Sequence, residues 1–301
     1  MKGRMLAVAL VGFLPALVLF LFVTAKQREF RIAEHENELR SFARVSAVEY
    51  GRLLHQGEAL LGVLSEFPEV TEEGSACSRR LAAVMRHLEH FTTVSLIGLD
   101  GYLMCGALGD GTLYIGDRAY FRRALATNRF SMGEYAVGRI TGKPIVGLAI
   151  PINTEDGVDV ESVLSMSLDL DAVGNEASSM NIPVATTFTV LDGAGNVMVR
   201  VRDAAGFAAD TVGSVAPDEF MAMITGVAGT VYGTDLDGVE RAMAVEPLRG
   251  TGAGILGYLV VGGATDVLDE ADDLARTELL ILLAGLLFLG AVTYGLSRKL
   301  T

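Results

Sequence analysis

Two uncharged runs bracket this chain, Met5–Ala25 with 21 residues and Leu279–Ser297 with 19. Each is close to the roughly 20 residues a helix needs to cross about 30 Å of hydrocarbon, so both are expected to be transmembrane helices. What lies between them must then fold as one extramembrane segment. Lys2 and Arg4 precede the first run, and Arg298 and Lys299 follow the second, so the positive-inside rule places both termini in the cytoplasm. The expected topology is therefore two-pass in the plasma membrane, with the main domain outside, although Lys26 and Arg28 pull weakly the other way. A signal peptide cleaved after Val23-Thr24-Ala25 is the alternative for the first run. The run is longer than the roughly 7 to 15 apolar residues of a signal sequence, which argues for a retained span.

The charge is unevenly placed. Four of the 24 Lys and Arg sit at the tips, and all 37 Asp and Glu lie between the runs, giving that segment a formal charge of −17. Such a surface repels nucleic acid and anionic lipid, so neither is an expected partner. Cys77 and Cys105 are the only cysteines. Two thiols in an oxidising compartment favour a single disulfide, here between a helix start and a strand end.

No catalytic or metal constellation emerges, so the chain is read as a non-enzyme with no cofactor. His87 and His90 are one helical turn apart, but no partner ligands accompany them. Asp192-Gly-Ala-Gly-Asn196 and Asp235-Leu-Asp237-Gly238 lack the ligand ladder of a calcium loop and read as turns. No nucleophile-base set, P-loop or dinucleotide fingerprint is present.

Periodicity gives the organisation. Gln27–Ser65 is free of proline, with apolar residues at Ile32, Leu39, Phe42, Leu53, Leu60 and Leu64, the spacing of a long helix that can carry other elements. Gly51 and Gly57 mark a bend or a close approach on it. A second helix is expected over Arg79–His90, and Phe91–Leu108 reads as a strand pair about Asp100-Gly101. Ser162–Leu170 alternates Val163, Ser165, Ser167 and Asp169 with Leu164, Met166, Leu168 and Leu170. The pattern of strand, Asp-Gly turn and strand returns from Thr186, followed by a hairpin about Asp237-Gly238 and a strand over Gly254–Gly262, so one fold is repeated in tandem. Thr265–Glu278 is helical and acidic and runs into the second apolar run.

The stretch Tyr114–Ile152 is the candidate site. Asp117 is an N-cap type, with a short helix expected from Arg118 to Ala126. Strands over Tyr135–Ile140 and Ile145–Ile150 close as a hairpin through Thr141-Gly142-Lys143-Pro144. One Arg at a helix start, aromatic neighbours and a covering hairpin make a small half-apolar pocket with a charged anchor. A guanidinium fork at Arg118 fits a ligand carboxylate, with an ion pair to Asp117 as the structural alternative.

The run DRAYFRRA (117–124), followed by VGRITGKPIVGLAIPI (137–152), resembles the membrane-distal module of double Cache sensor domains, found in bacterial chemoreceptors, sensor kinases and diguanylate cyclases. The resemblance implies an α+β fold in which a long N-terminal helix carries two tandem PAS-like antiparallel-sheet modules, flanked by two transmembrane helices. The corresponding boundaries are a tip and first span over 1–25, the long helix over 26–65, the distal module over 66–183 and the proximal module over 184–264. A connecting helix over 265–278, the second span over 279–297 and the start of a cytoplasmic linker over 298–301 complete the chain.

The resemblance also implies a small organic ligand, an acid, amino acid or amine, in the distal module, a cytoplasmic signalling partner and a homodimer formed along the long helix. Arg118 and Asp169 match positions that hold the ligand's carboxylate and ammonium in amino-acid-sensing members. Leu113 stands where those members have Tyr, and Tyr120 and Phe121 where they have Trp-Tyr, so the amino-acid pattern is incomplete. Tyr135 and Arg139, on the hairpin, are within reach of the same pocket. A membrane-anchored scaffold with a vestigial pocket is the other reading.

Overall fold

A computed structural model describes residues 2–71, 75–108, 113–154, 156–180, 182, 185–202, 206–249 and 254–264, with a few helical positions between 276 and 291. The chain divides into two units, one of residues 1–38 and 264–301 and one of Leu39–Gly263. Among the described residues, no helix is long and apolar enough to cross a membrane. The side chains of 2–14 and 16, most of Leu279–Ser297 and nearly all of the expected helix Thr265–Glu278 lie outside the described residues.

The long helix α1 runs unbroken over Lys2–Ser65. From Leu39 onward its buried line is Leu39, Ala43, Ser46, Tyr50, Leu54, Leu61 and Leu64, in steps of three, four and seven. Leu53 and Leu60, which the sequence put on the stripe, flank it half-buried. Gly57 lies on the buried line for a steric reason. A Cβ there would stand 2.5 Å from the Leu148 side chain and 3.4 Å from the Phe91 ring. Gly51 has open space around it and makes no such contact.

After α1 come a short α2 (Pro68–Thr71), α3 (Ser75–Met85), β1 (Phe91–Gly98), β2 (Leu103–Gly106), α4 (Ala119–Thr127), β3 (Ser131–Val137), β4 (Pro144–Asn153) and β5 (Val160–Asp169). These five strands form one antiparallel sheet in the order β2-β1-β5-β4-β3. The helix expected at Arg79–His90 starts earlier and stops at Met85, so His87 and His90 are outside it. His90 instead pairs with Glu176 at 2.6 Å. Cys77 on α3 and Cys105 on β2, both fully buried, form the expected disulfide. Closing a loop of 28 residues stabilises the fold by about 3.5 kcal/mol through the unfolded chain.

Helix α5 (Leu170–Ser179) links this sheet to the next and was not foreseen. There follow β6 (Thr186–Asp192), β7 (Val197–Arg202), β8 (Gly206–Phe207), α6 (Asp218–Ile224), β9 (Gly229–Thr234), β10 (Glu240–Arg249) and β11 (Ile255–Ala264). Their order, β8-β7-β6-β11-β10-β9, repeats that of the first sheet with one short edge strand added. The expected tandem of one fold is therefore present. In each sheet one face packs on α1. Val94, Leu96, Leu164, Met166 and Leu168 of the first sheet share a single hydrocarbon core with Phe188, Val190, Met198 and Val199 of the second.

The opposite face of the second sheet carries an apolar cluster in which Leu191, Met243, Val245 and Val260 meet Phe220 and Ile224 of α6, and beside it a buried ion network. Arg200, only 2% exposed, reaches both oxygens of Asp235 at 3.2 and 3.4 Å and Thr189 Oγ1 at 3.0 Å. Thr187 Oγ1 donates to Asp235 at 2.8 Å, and Arg241 reaches Asp235 at 3.2 Å and Asp237 at 2.7 Å. Asp235 is therefore more than a turn residue. Removing one partner of a buried ion network strands the others, at a cost of about 3–5 kcal/mol. Asp235→Ala is accordingly expected to lower stability by that amount, read from denaturant unfolding, and Asp237→Ala by clearly less because Asp237 is the more exposed of the two.

Candidate functional site

The first sheet turns its second face, the one away from α1, toward α4 and the β3–β4 loop. On that face two cross-strand rows lie side by side. Thr93, Ser167 and Gly147 form one, and Ser95, Ser165 and Ala149 the other. All six are small, so the sheet surface is hollowed there, and hydroxyls line the hollow. Beyond it, Ile97 and Val163 join Tyr120, Phe121 and Ala124 of α4 in a separate apolar cluster. The result is a narrow cleft with a cavity volume of about 20 Å³, room for about one water, opening to solvent at its rim. Its hydroxyl floor of Thr93, Ser95, Ser165 and Ser167 faces a wall of Ile115, Tyr120, Ile140 and Ile145 and a rim carrying Arg118 and Arg139.

Gly147 is decisive for this shape. A Cβ there would stand 2.1 Å from the Tyr120 ring, so only glycine lets the ring lie against β4. The Tyr120 carbonyl is in turn held by the Ser131 hydroxyl. Burial pushes the Tyr120 phenol up to about 12, against the pull of Arg118 and Arg139, so it keeps its proton at neutral pH.

Helix α4 starts one residue later than its sequence suggests. Arg118 takes the N-cap position with no side-chain cap, and Asp117 is used elsewhere. Strand β3 ends at Val137, short of the expected Ile140, so Gly138–Lys143 is a loop, with Gly142 at φ +69°. That frees Arg139 to reach back. Its two terminal nitrogens grip the two Asp117 oxygens at 2.6 Å each, and one of them also donates to the Tyr114 carbonyl at 2.7 Å. Arg118 Nη2 donates to the Val137 carbonyl at 2.8 Å. Among the described residues no carboxylate pairs with Arg118, so the structural alternative of an Asp117–Arg118 ion pair is not what forms. The loop is thus latched to the head of α4 from both sides.

Of the six residues singled out from the sequence, Arg118, Tyr120 and Arg139 line the cleft together. Phe121 is 3% exposed within the apolar cluster behind α4. Asp169 ends β5 and caps α5, accepting from the Asp171 and Ala172 amides, while its other oxygen takes Lys143 Nζ at 2.6 Å. Tyr135 turns toward the second sheet. Its amide, freed by a bulge between Met132 and Tyr135, donates to Asp192 Oδ2 at 2.9 Å, and its ring fills the space over Gly213. The four floor hydroxyls were missed. The available signal was the alternation of Ser165 and Ser167 with large apolar residues on β5, echoed by Thr93 and Ser95 on β1.

No protein-family model and no curated protein matches the sequence. Solved structures do match. The extracellular domain of a histidine kinase, rpHK1S-Z16, superposes with a TM-score of 0.66 at 15% identity, covering 78% of this chain and 96% of its own. The ligand-binding domain of the Pseudomonas fluorescens chemoreceptor CtaA, in complex with L-isoleucine, gives 0.61 at 16% identity over 81% of this chain and 98% of that one. That of Pseudomonas aeruginosa PAO1 PctC, in complex with GABA, gives 0.56 at 18% identity over 76% and 99%. The chain has the fold of these sensor domains, the double Cache arrangement of two PAS-like sheets on one helix.

The latch has a defined pH range. The Arg139 hydrogen bonds hold the Asp117 carboxyl below its usual range. Because the folded pKa is depressed, the contribution of the pair is present above the unfolded value and is lost as pH falls through the folded one. Asp117→Asn is therefore expected to be less stable than the parent at pH 7, and the two should converge below about pH 4. Denaturant unfolding across that range checks it.

Proposed function

We propose that this chain is the sensor part of a transmembrane signalling protein, and that a small organic solute carrying a carboxylate binds in the distal cleft. The observation that carries the reading is the Arg118 guanidinium at the rim of a hydroxyl-floored cleft, with no carboxylate partner among the described residues. A fork of this kind offers bidentate recognition to a carboxylate. L-isoleucine and GABA, bound by the chemoreceptor domains of the same fold, both carry one. The binding reading is supported by the solved structures of the same fold, which are ligand-binding domains.

Anchoring is argued from the apolar runs together with exposure. Val18, Leu19, Leu21, Phe22 and Val23 leave 42–63% of their surfaces open on α1, and Leu280, Ile281, Leu287 and Phe288 leave 65–73%. Such surfaces call for lipid or protein cover. In this reading 5–25 and 279–297 are the spans, the sheets lie outside the cytoplasm, and the segment after Gly263 passes the change on to a cytoplasmic domain or partner. Val45 and Val48, exposed on α1, suit the expected pairing with a second copy.

A ligand gripping Arg118 would compete with the Val137 carbonyl and so bias the latch. The bulged β3 beyond it is bonded to Asp192, which gives a physical route from cleft to second sheet. A thermal-shift screen of the full chain in detergent, against carboxylates, amines and amino acids, tests the reading. At least one carboxylate should raise the midpoint in a saturable manner, and Arg118→Ala should remove the shift. A panel with no Arg118-dependent hit would rule it out.

A further inference from the structure

We infer that the distal cleft selects a short monocarboxylate bearing hydroxyl or carbonyl oxygens and discriminates against an α-ammonium group. The inference rests on the sensor reading of the same cleft and narrows it.

Charge balance is the first argument. The cleft lining contains two arginines and no Asp or Glu. Two guanidinium groups share the one acid Asp117, whose oxygens both bond Arg139 while Arg118 makes no ion pair among the described residues, so the rim keeps one positive charge in excess, enough for one carboxylate. An ammonium group would sit beside two guanidinium ions without a counter-ion. The acid on the right face of β5 is Asp169, and it is fully committed. One oxygen takes Lys143 and the other takes two backbone amides at the head of α5. Freeing it would uncap that helix.

The floor is the second argument. Thr93 Oγ1 and Ser95 Oγ are buried, in residues 7% and 3% exposed, and neither has a hydrogen-bond partner among the described residues. Ser165 beside them donates to the Ser95 carbonyl, so it is partly spent. An unsatisfied buried hydroxyl is costly and rare, and two adjacent ones lining a cleft mark the place of a missing partner. A hydroxyl both donates and accepts, so it matches a ligand hydroxyl or keto oxygen. With Arg118 at the rim and these groups on the floor, a carboxylate and a neighbouring oxygen are read together. The isoleucines of the wall and a cavity of only about 20 Å³ exclude a long skeleton, and even a short acid must displace wall side chains as it enters.

The test uses the full chain in detergent with matched 2-hydroxy, 2-oxo and 2-amino acids of three to six carbons, the unsubstituted acids, and sodium sulfate, titrated by calorimetry. The expected result is Arg118-dependent binding of a hydroxy or oxo acid, with the amino acid of the same skeleton at least tenfold weaker. Ser95→Ala should weaken the hydroxy or oxo acid at least fivefold and leave the unsubstituted acid unchanged. Arg118→Lys keeps the charge but loses the fork, and should weaken every acid while folding as the parent does. Amino acids that bind as tightly as hydroxy acids in an Arg118-dependent way would overturn the inference and leave the sensor reading standing. The same holds if sulfate reproduces the binding. If no acid binds through Arg118, the sensor reading falls with it.

Discussion

The unit Leu39–Gly263 depends on one hydrocarbon line along α1. Leu39, Ala43 and Tyr50 meet the second sheet's side of the core, and Leu54, Leu61 and Leu64 continue the same line toward the first. Neither sheet can bury its inner face alone, because the apolar face of an open antiparallel sheet needs a second layer. Here one helix provides that layer twice. Replacing any of its fully buried leucines with alanine would open a cavity in a core common to both modules, at about 2–5 kcal/mol.

The two modules share a strand order and differ in what occupies the outer face. In the second, Arg200, Arg241 and Asp235 fill the space between Thr187, Thr189 and the β9–β10 hairpin. In the first, the equivalent face carries Thr93, Ser95, Ser165 and Ser167, and a narrow cleft separates them from Arg118, Tyr120, Arg139 and Ile140. One copy of the fold thus has an ion network where the other has a hydroxyl-floored cleft. A repeated architecture gives two equivalent faces, and side-chain volume decides how much space each leaves.

Much of this organisation was legible in the sequence because it is periodic. The proline-free run to Ser65, the alternation on β5 and the paired Asp-Gly turns each report a local rule that the structure obeys. The cysteine pairing followed from compartment and count. What was not legible depends on contacts between distant residues. Asp117 is an acceptable N-cap by type, yet it serves as the partner of Arg139, which lies 22 residues on. Asp169 sits at the end of an alternating strand, and nothing local reveals that α5 begins at the next residue and takes it as a cap. The floor hydroxyls were overlooked because single serines on a strand carry no signal until the register sets two rows side by side.

The bond from the Tyr135 amide to Asp192 has a consequence for the whole unit. Asp192 also accepts from the amides of Ala194 and Asn196 and from the Asn196 side chain, so it organises the tip of the β6–β7 hairpin while holding β3. Backbone and carboxylate here tie β3 of the first sheet to the β6–β7 hairpin of the second. Thermodynamic linkage makes such a tie act equally in both directions. Whatever displaces that hairpin therefore acts on β3 and the loop beyond it, and a change at β3 acts back on the hairpin through the same coupling.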